Sequence, residues 1–205
     1  MSEEIRLLSV CKPPMWNLVS FLLGTGIHVS QAIHLKWTNF DLLSKPSATV
    51  TFRTRGHRQP HAIPLPSDVR TLLLAMRRGA PPELEYVFLD TPTRNRRDIE
   101  GNLLDEAGIP RHYSYPYNEF KRVRAASGLR DISFRTLRQT YAMRLISAGV
   151  HLGDVALLLN RDGKSSASEP QKRMKVFQSA IRKLDKYLQD LRLNTIPMPD
   201  DIGLL

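Results

Sequence analysis

Apolar positions spaced three and four residues apart predict that most of this chain is helical. Glycines and prolines divide the pattern into segments, and Ser30 and Ser67 are placed to cap two of them. The predicted helices cover residues 2–10, 14–24, 30–37, 67–78, 117–127, 134–148, 151–160 and 170–194. Residues 79–115 show little periodicity, apart from a short strand predicted over 86–89.

One stretch of the chain alternates with a period of two instead. Residues 48–54 are rich in β-branched side chains, residues 55–58 have the composition of a turn, and residues 61–65 form a returning strand. Pro60 and Pro64 mark this second strand as the edge of a sheet. The pattern therefore predicts an α+β fold that is mainly α, with a β-hairpin in one small antiparallel sheet and a long C-terminal helix.

The length and composition limit the class of protein. A chain of 205 residues is long enough to bury its own core, so we expect a single domain over 1–205. The one cysteine, Cys11, excludes an intramolecular disulfide and favours a reducing, cytoplasmic location, and we expect it to be a small buried apolar residue. The longest apolar stretch, around 16–26, is too short to cross a membrane, so we expect no membrane partner.

The charge of the chain gives a first indication of function. Lysine and arginine total 30 against 20 aspartate and glutamate residues, which gives a net charge of +10 and a pI of about 10.0. Arginine outnumbers lysine by 21 to 9, and its forked guanidinium suits contacts with phosphate and guanine. A basic domain of this size indicates a polyanionic partner, of which nucleic acid is the commonest.

Three segments resemble, in order, the sequence boxes of the tyrosine recombinases, the phage integrase family. Residues 23–41 (LGTGIHVSQAIHLKWTNFD) resemble the first box, T-G-x-R-x-x-E-x-x-x-L-x-W-x-D-x-D. Residues 54–66 (TRGHRQPHAIPLP) resemble the family's lysine-bearing hairpin, which ends in V-P-L. Residues 132–150 (ISFRTLRQTYAMRLISAGV) resemble H-x-L-R-H-T-x-A-x-x-L-x-x-x-G-V. The resemblance covers about residues 15–175 and implies the family's catalytic-domain fold, with helices around a small antiparallel sheet.

The resemblance also implies double-stranded DNA as the partner and a reaction without a cofactor or a metal ion. In the family a tyrosine oxygen attacks a phosphodiester, and two arginines stabilise the charge on phosphorus. A hairpin lysine protonates the leaving oxygen, and histidines orient the phosphate. The matching positions are occupied here by His28, Arg55, Arg135, Arg138, Arg161 and Met174. Only Arg138 retains the family's residue.

These replacements remove most of the groups that the reaction needs. His28 stands where the first arginine belongs, and Arg55 replaces the lysine with a group that does not readily give up a proton. Met174 matches the nucleophilic tyrosine, and its thioether cannot act as this nucleophile. Tyr187 lies 13 residues further on, about 20 Å along a helix. We therefore expect a chain that does not cleave DNA, and Tyr187 is the candidate nucleophile of the alternative.

Basic side chains still occupy many of these positions. If the fold is kept, one basic DNA-binding pocket would be lined by His28, Arg53, Arg55, Arg58, Arg135, Arg138 and Arg161. Such a pocket holds a phosphate without cutting it, whereas the alternative is that these side chains are solvated surface charges. The hairpin histidines, His57 and His61, are expected at an exposed or DNA-facing surface rather than as metal ligands.

Residues 170–194 are predicted to form an amphipathic C-terminal helix. Its apolar residues have the spacing of a heptad repeat: Met174, Phe177, Ile181, Leu184, Leu188 and Leu191. This apolar stripe either packs on its own domain or docks in trans, since relatives in the family exchange a C-terminal helix. The partner in trans would be a second copy of the chain or a full-length recombinase.

Three functions fit these observations. The first is a catalytically inactive DNA-binding protein of the tyrosine recombinase fold, a regulator or accessory factor in DNA recombination and integration. The second is an active, divergent site-specific recombinase that uses Tyr187. The third is an interaction protein that binds a full-length integrase through the apolar stripe and has little affinity for DNA. We favour the first, because it explains the retained boxes and the missing nucleophile together.

Overall fold

Helices form most of the structure and most of its core. The computed structural model describes residues 3–53, 60–90, 111–112, 116–160 and 170–191. The α-helices there are α1 (Glu3–Val10), α2 (Met15–Thr25), α3 (Val29–Ala32), α4 (Ser67–Gly79), α5 (Pro116–Ser127), α6 (Phe134–Ser147), α7 (Leu152–Leu158) and α8 (Pro170–Asp190). The strands are β1 (Phe40–Asp41), β2 (Thr49–Phe52), β3 (His61–Pro64), β4 (Leu89–Asp90) and β5 (Arg111–His112). The prediction of a mainly helical α+β fold is confirmed.

The predicted hairpin supplies two strands of a three-stranded antiparallel sheet in the order β1–β2–β3. Val50 pairs with Ile63, and β3 lies at an edge, as its prolines predicted. Val50 and Phe52 are buried while the threonines beside them are half-buried, because one face of the sheet packs on the core. The turn of the hairpin, residues 54–59, lies outside the described residues.

Two predicted helix caps were wrong. Helix α3 is a single turn instead of the expected 30–37, and its N-cap is His28 rather than Ser30. Helix α4 begins at Ser67 itself, with Pro66 as its N-cap residue. A carboxylate from α8 accepts the first N–H of α4 at 3.2 Å, so a tertiary contact replaces the expected serine cap.

Tertiary pairing explains why α3 ends after one turn. The main chain just after α3 pairs with the segment before β4: the Trp37 N–H donates to the Glu85 carbonyl at 2.9 Å, and the Val87 N–H donates to the Leu35 carbonyl at 3.0 Å. Backbone groups used in such a pairing are not available to a helix. Of the strand expected over 86–89, Tyr86 forms an isolated antiparallel bridge with Lys36, and strand β4 begins only at Leu89.

Helix α2 lies at the centre of the core. Ten of its 11 residues are buried, and it contacts α1, α3, α4, α5 and α6. Buried apolar residues from Leu7 in α1 to Leu184 in α8 form one cluster around it. Because each fully buried leucine or phenylalanine contributes about 1.5–3 kcal/mol, α2 supplies much of the stability of the fold. Cys11 is buried as expected, and burial, followed by the charge of Glu119, raises its pKa to about 12.

Helix α8 packs its apolar stripe on its own chain. It contacts β3, α6 and α7. Phe177, Ile181 and Leu184 are buried, Leu188 is half-buried, and Leu191 is exposed. These contacts are made within the single chain of the structure. Among the described residues, α8 included, no helix combines the length and the apolar character needed to span a bilayer.

Gly26 follows α2 in a left-handed conformation and packs against two core side chains. Its φ is +63°, and a Cβ added there would lie 2.4 Å from Tyr141 Cδ1 and 2.8 Å from Leu159 Cδ2. We predict that Gly26→Ala lowers the free energy of unfolding by about 3 kcal/mol, because backbone strain and overpacking add to each other. Urea unfolding followed by circular dichroism measures this loss.

Gly149→Ala is the matched control. Gly149 also has a positive φ, +76°, but a Cβ added there meets no atom within 4 Å. This variant should therefore lose only the strain, about 1 kcal/mol. Equal losses in the two variants would contradict the packing role of Gly26.

Candidate functional site

Arg138, the arginine retained in the third box, lies half-buried on α6. Its Nη1 donates to the Gly26 carbonyl at 2.6 Å, and its Nη2 donates to the Leu159 carbonyl. The guanidinium therefore joins the loop after α2 to the end of α7. A guanidinium is the side-chain group that presents several N–H donors in a rigid, permanently charged plane. Arginine therefore suits a position from which one side chain holds α6, the loop after α2 and the end of α7 together.

His28 lies beside Arg138 and caps α3. Its Nδ1 accepts a hydrogen bond from the Ser30 N–H at 3.3 Å and lies 2.7 Å from the Ser30 hydroxyl oxygen. The His28 N–H donates to Gln31 Oε1 at 3.3 Å, which completes a capping box. Partial desolvation of the largely exposed imidazole, and then the positive charge of Arg138, lower the pKa of His28 below its usual 6.5. The imidazole is therefore neutral at pH 7, as its acceptor role requires.

A polar groove opens between α3 and β2, next to His28. Its volume is about 510 Å³, and its polar lining residues include Ser30, Gln31, His34, Asn39, Thr51 and Arg53. Gln31 Nε2 donates to the Arg53 carbonyl at 3.5 Å, so the cap of α3 is also tied to the end of β2. Hydroxyl, amide, imidazole and guanidinium groups are the ones that contact phosphate and sugar oxygens in DNA-binding proteins.

The structure brings four of the predicted DNA-binding residues to this region. Arg135 is exposed and precedes Arg138 by three residues, so both lie on one face of α6. Arg53 is exposed and lines the groove, while His28 contacts the groove residue Ser30 and lies close enough to Arg138 for their charges to interact. Three further predicted residues lie outside the described part of the chain: Arg55, Arg58 and Arg161. The single basic pocket therefore stays a prediction.

The described parts of α6 and α8 contain the residues that bear on the position of a nucleophile. Helix α8 carries half-buried Met174 at the position that matches the family's tyrosine, and half-buried Tyr187 follows 13 residues later. Tyr141 is fully buried against Gly26. Burial, and then the charge of Asp185, raise the pKa of Tyr141, which opposes formation of the phenolate.

His61 is buried, so the expectation of a surface histidine was wrong. Its Nε2 bonds to the Leu158 carbonyl at 3.0 Å, and its ring meets those of Phe52 and Phe177 edge-on. The available signal was its alternation with Ile63, which places both on the buried face of β3. His57 lies outside the described residues. Within the described part of the chain, no group of three histidine, cysteine or acidic side chains could hold a metal ion.

The sequence prediction missed Gln31 and His34 as residues of the groove. The expected helix over 30–37 would already place these two residues, three apart, on one face. In the structure both line the same groove as Arg53, beside the one-turn α3. Their spacing and their position within the first box were the sequence signals, but neither indicated that this face would meet the end of β2.

Comparison with known proteins points to one family. The sequence model of the phage integrase family matches residues 2–168. The integrase of Salmonella phage P22 is 26% identical over 150 residues, which are 72% of this chain and 36% of that protein. The chain therefore spans about a third of the length of this curated relative.

Solved structures share the fold. The integrase from mycobacterium phage Brujita has a TM-score of 0.62 at 19% identity, covering 89% of this chain and 56% of that one. XerA recombinase has a TM-score of 0.56 at 17% identity, covering 97% and 64%. XerH site-specific recombinase, bound to its difH substrate in a pre-cleavage complex, has a TM-score of 0.52 at 19% identity, covering 96% and 53%. The expected tyrosine-recombinase catalytic fold is thus confirmed.

The cap of α3 should make stability depend on the protonation of His28. Because the pKa of His28 is lowered in the folded state, its contribution to stability is complete above the unfolded value of 6.5 and is lost as pH falls through the folded-state pKa. We predict a larger loss of stability between about pH 7.5 and pH 5 for the natural chain than for His28→Asn. Urea unfolding at the two pH values measures the difference.

Asparagine is the matched replacement because it caps a helix and does not titrate in this range. All other titrating groups are common to the two proteins, so their effects cancel. Parallel stability curves would show that His28 does not cap α3 as a neutral acceptor.

Proposed function

Because this chain belongs to the phage integrase family, we propose that it binds double-stranded DNA through the surface around α3 and the start of α6 without cutting it. It would act as a regulator or accessory factor in DNA recombination and integration, associated with DNA in the cytoplasm. The observation that carries this proposal is the engagement of Arg138 with two main-chain carbonyls, beside a neutral His28 where the family has its other arginine.

Exposed basic groups support phosphate binding at this surface. Arg53, just after β2, and Arg135, in the first turn of α6, are both exposed. A carbonyl satisfies a guanidinium N–H without neutralising its charge, so Arg138 still contributes a positive field there. With a net charge of +10, the whole chain attracts an anionic duplex. Phosphate contacts of this kind position a protein on DNA independently of catalysis.

The replaced residues argue against strand cleavage. Phosphoryl transfer to a side chain needs a nucleophile, a proton donor for the leaving oxygen and fixed positive charge on the non-bridging oxygens. The matching positions supply a thioether at Met174 and a neutral imidazole at His28, while Tyr141 is sealed in the core. An enzyme that lacks several of these groups at once loses the transition-state stabilisation that they provide together.

Salt-dependent DNA binding tests the proposed surface. We predict that the chain binds a random 30-base-pair duplex at about 50 mM salt, with a log–log salt slope of several units, at about 0.9 per phosphate. Arg53→Gln and Arg135→Gln should each weaken binding and lower the slope by about 1. Fluorescence anisotropy at about 50, 100 and 200 mM salt measures both quantities.

Arg78→Gln is the control with the same change in charge. Arg78 is an exposed arginine in the last turn of α4, and its Nε bonds to the Leu74 carbonyl within its own helix. This variant should keep the slope of the natural chain. Absence of binding at low salt, or an equal effect of all three variants, would count against the proposed surface.

A covalent adduct test distinguishes the inactive protein from a divergent recombinase. A duplex selected by the chain from a random pool would be nicked within the bound segment and incubated with the protein. We predict no protein–DNA adduct on a denaturing gel. An adduct that disappears in Tyr187→Phe would overturn the proposal that the chain does not cut DNA, and it would establish Tyr187 as the nucleophile.

We propose further that residues 1–205 act as one domain with α8 docked in cis. The support is the burial of Phe177, Ile181 and Leu184 in the same core that surrounds α2. Lys183 Nζ also donates to the Gly149 carbonyl at 2.9 Å, which adds a polar contact to the apolar one. Docking on a second copy or on a full-length recombinase would have to exchange all these contacts, so it stays the alternative.

A further inference from the structure

The outward side of α8 carries a row of basic side chains. Spacings of three, seven and four residues place four exposed cations on one side of this helix: Lys172, Lys175, Arg182 and Lys186. These four residues are called the basic stripe below. At 1.5 Å per residue, the stripe is about 21 Å long from its first residue to its last.

The opposite side of α8 is packed on the rest of the chain. Phe177, Ile181 and Leu184 are buried there, and the helix contacts β3, α6 and α7. At 3.6 residues per turn, the basic stripe lies roughly half a turn around the helix from these three residues. The stripe therefore points away from α6, which carries Arg135, and from β3, which pairs with the strand before Arg53.

Little acidic charge offsets the basic stripe. Among the described residues, no ion pair involves Lys175, Arg182 or Lys186. Helix α8 has two acidic residues, of which Asp185 accepts the first N–H of α4 and Asp190 lies at the end of the helix. Like charges three and four residues apart on a helix repel each other. The helix itself therefore gains no stability from this row of cations.

We propose that the basic stripe binds a second segment of double-stranded DNA, so that one copy of the chain holds two duplexes at once. This second site rests on the proposed function, because the first duplex would occupy the surface around α3 and the start of α6. B-DNA carries one negative charge per about 1.7 Å of its axis, so about 21 Å of duplex presents about 12 charges to the stripe.

The stiffness of DNA favours two duplexes over one. The persistence length of DNA is about 150 base pairs, so bending a short duplex sharply is costly. A short duplex that lies on α3 and α6 would have to bend around α8 to reach the basic stripe as well. A second duplex reaches the stripe without this cost.

The burial of the apolar stripe makes a membrane a poorer partner. An amphipathic helix that binds an anionic membrane inserts its apolar side among the lipids. In α8 that side is packed in the core of the chain. Lysine contacts phosphate as a compact point charge, so we expect the second site to bind duplexes of different sequence about equally.

A capture assay with two duplexes tests the second site. A duplex of about 30 base pairs is fixed on beads and loaded with the full chain, and a second, fluorescent duplex is then added after washing. We expect the natural chain to retain the second duplex at about 50 mM salt. Capture should fall with salt more steeply than the binding of one duplex, by about 0.9 in the log–log slope for each additional phosphate.

A triple variant removes most of the charge of the stripe. Lys175→Gln, Arg182→Gln and Lys186→Gln change only exposed side chains, so the fold should be kept, and circular dichroism checks this. The triple variant should retain at least about fivefold less of the second duplex than the natural chain. Its affinity for a single duplex, measured by fluorescence anisotropy, should stay within about threefold of the natural value.

Two further variants serve as controls. Lys12→Gln, Lys45→Gln and Arg78→Gln together remove the same charge from exposed positions before α2, before β2 and at the end of α4, and this variant should capture normally. The double variant of Arg53→Gln and Arg135→Gln should instead weaken the binding of a single duplex. It therefore reports on the proposed function separately from the second site.

Four results would overturn the second site. One is equal capture by the triple variant and the natural chain, which would assign bridging to contacts between copies. Another is an equal loss of capture in the charge-matched control. The third is a loss of single-duplex affinity in the triple variant as large as that in the double variant, which would mean that one duplex contacts both surfaces. The fourth is a natural chain that binds one duplex and captures no second one, and this result would leave the proposed function standing. Absence of binding to any duplex would overturn both proposals together.

Discussion

The hydrogen bonds from Arg138 to the carbonyls of Gly26 and Leu159 are the contact on which the rest of the site depends. They join the loop after the central helix α2 to the end of α7, and α6 lies between the two. Gly26 makes this possible, because its left-handed conformation aims the carbonyl at Arg138 while its missing Cβ leaves room for Tyr141. The position of α3, and with it the groove beside β2, follows from this arrangement.

Two positions that match catalytic residues of the family make contacts with local structure here. An arginine that binds carbonyls keeps its charge, because a dipole accepts a hydrogen bond without cancelling a full positive charge. A histidine that caps a helix must stay neutral, and the nearby guanidinium favours that neutral form. The two residues therefore support each other, and neither has to contact a substrate to be needed for the fold. The exposed side chains of Arg53 and Arg135 remain available to attract a polyanion.

Local patterns predicted most of the fold, whereas the site depended on contacts distant in sequence. Periodicity located α2, α4, α6 and α8, and alternation located the hairpin, because each of these elements buries one face. It failed for α3, since the pairing of Trp37 with Glu85 ends that helix and no local signal encodes this pairing. It also misplaced His61, whose partners lie in α7 and α8. Motif resemblance placed Arg138 and His28 in one region, but it did not reveal that their partners would be backbone groups.

The edge strand β3 affects how the protein behaves when crowded. An open edge normally invites a strand from another molecule, which is a common route to aggregation. Here the strand has four residues, follows Pro60 and ends at Pro64, and proline has no N–H to offer an incoming strand. When many copies of this basic protein lie close together, the β3 edge is therefore a poor template for a strand from a neighbour.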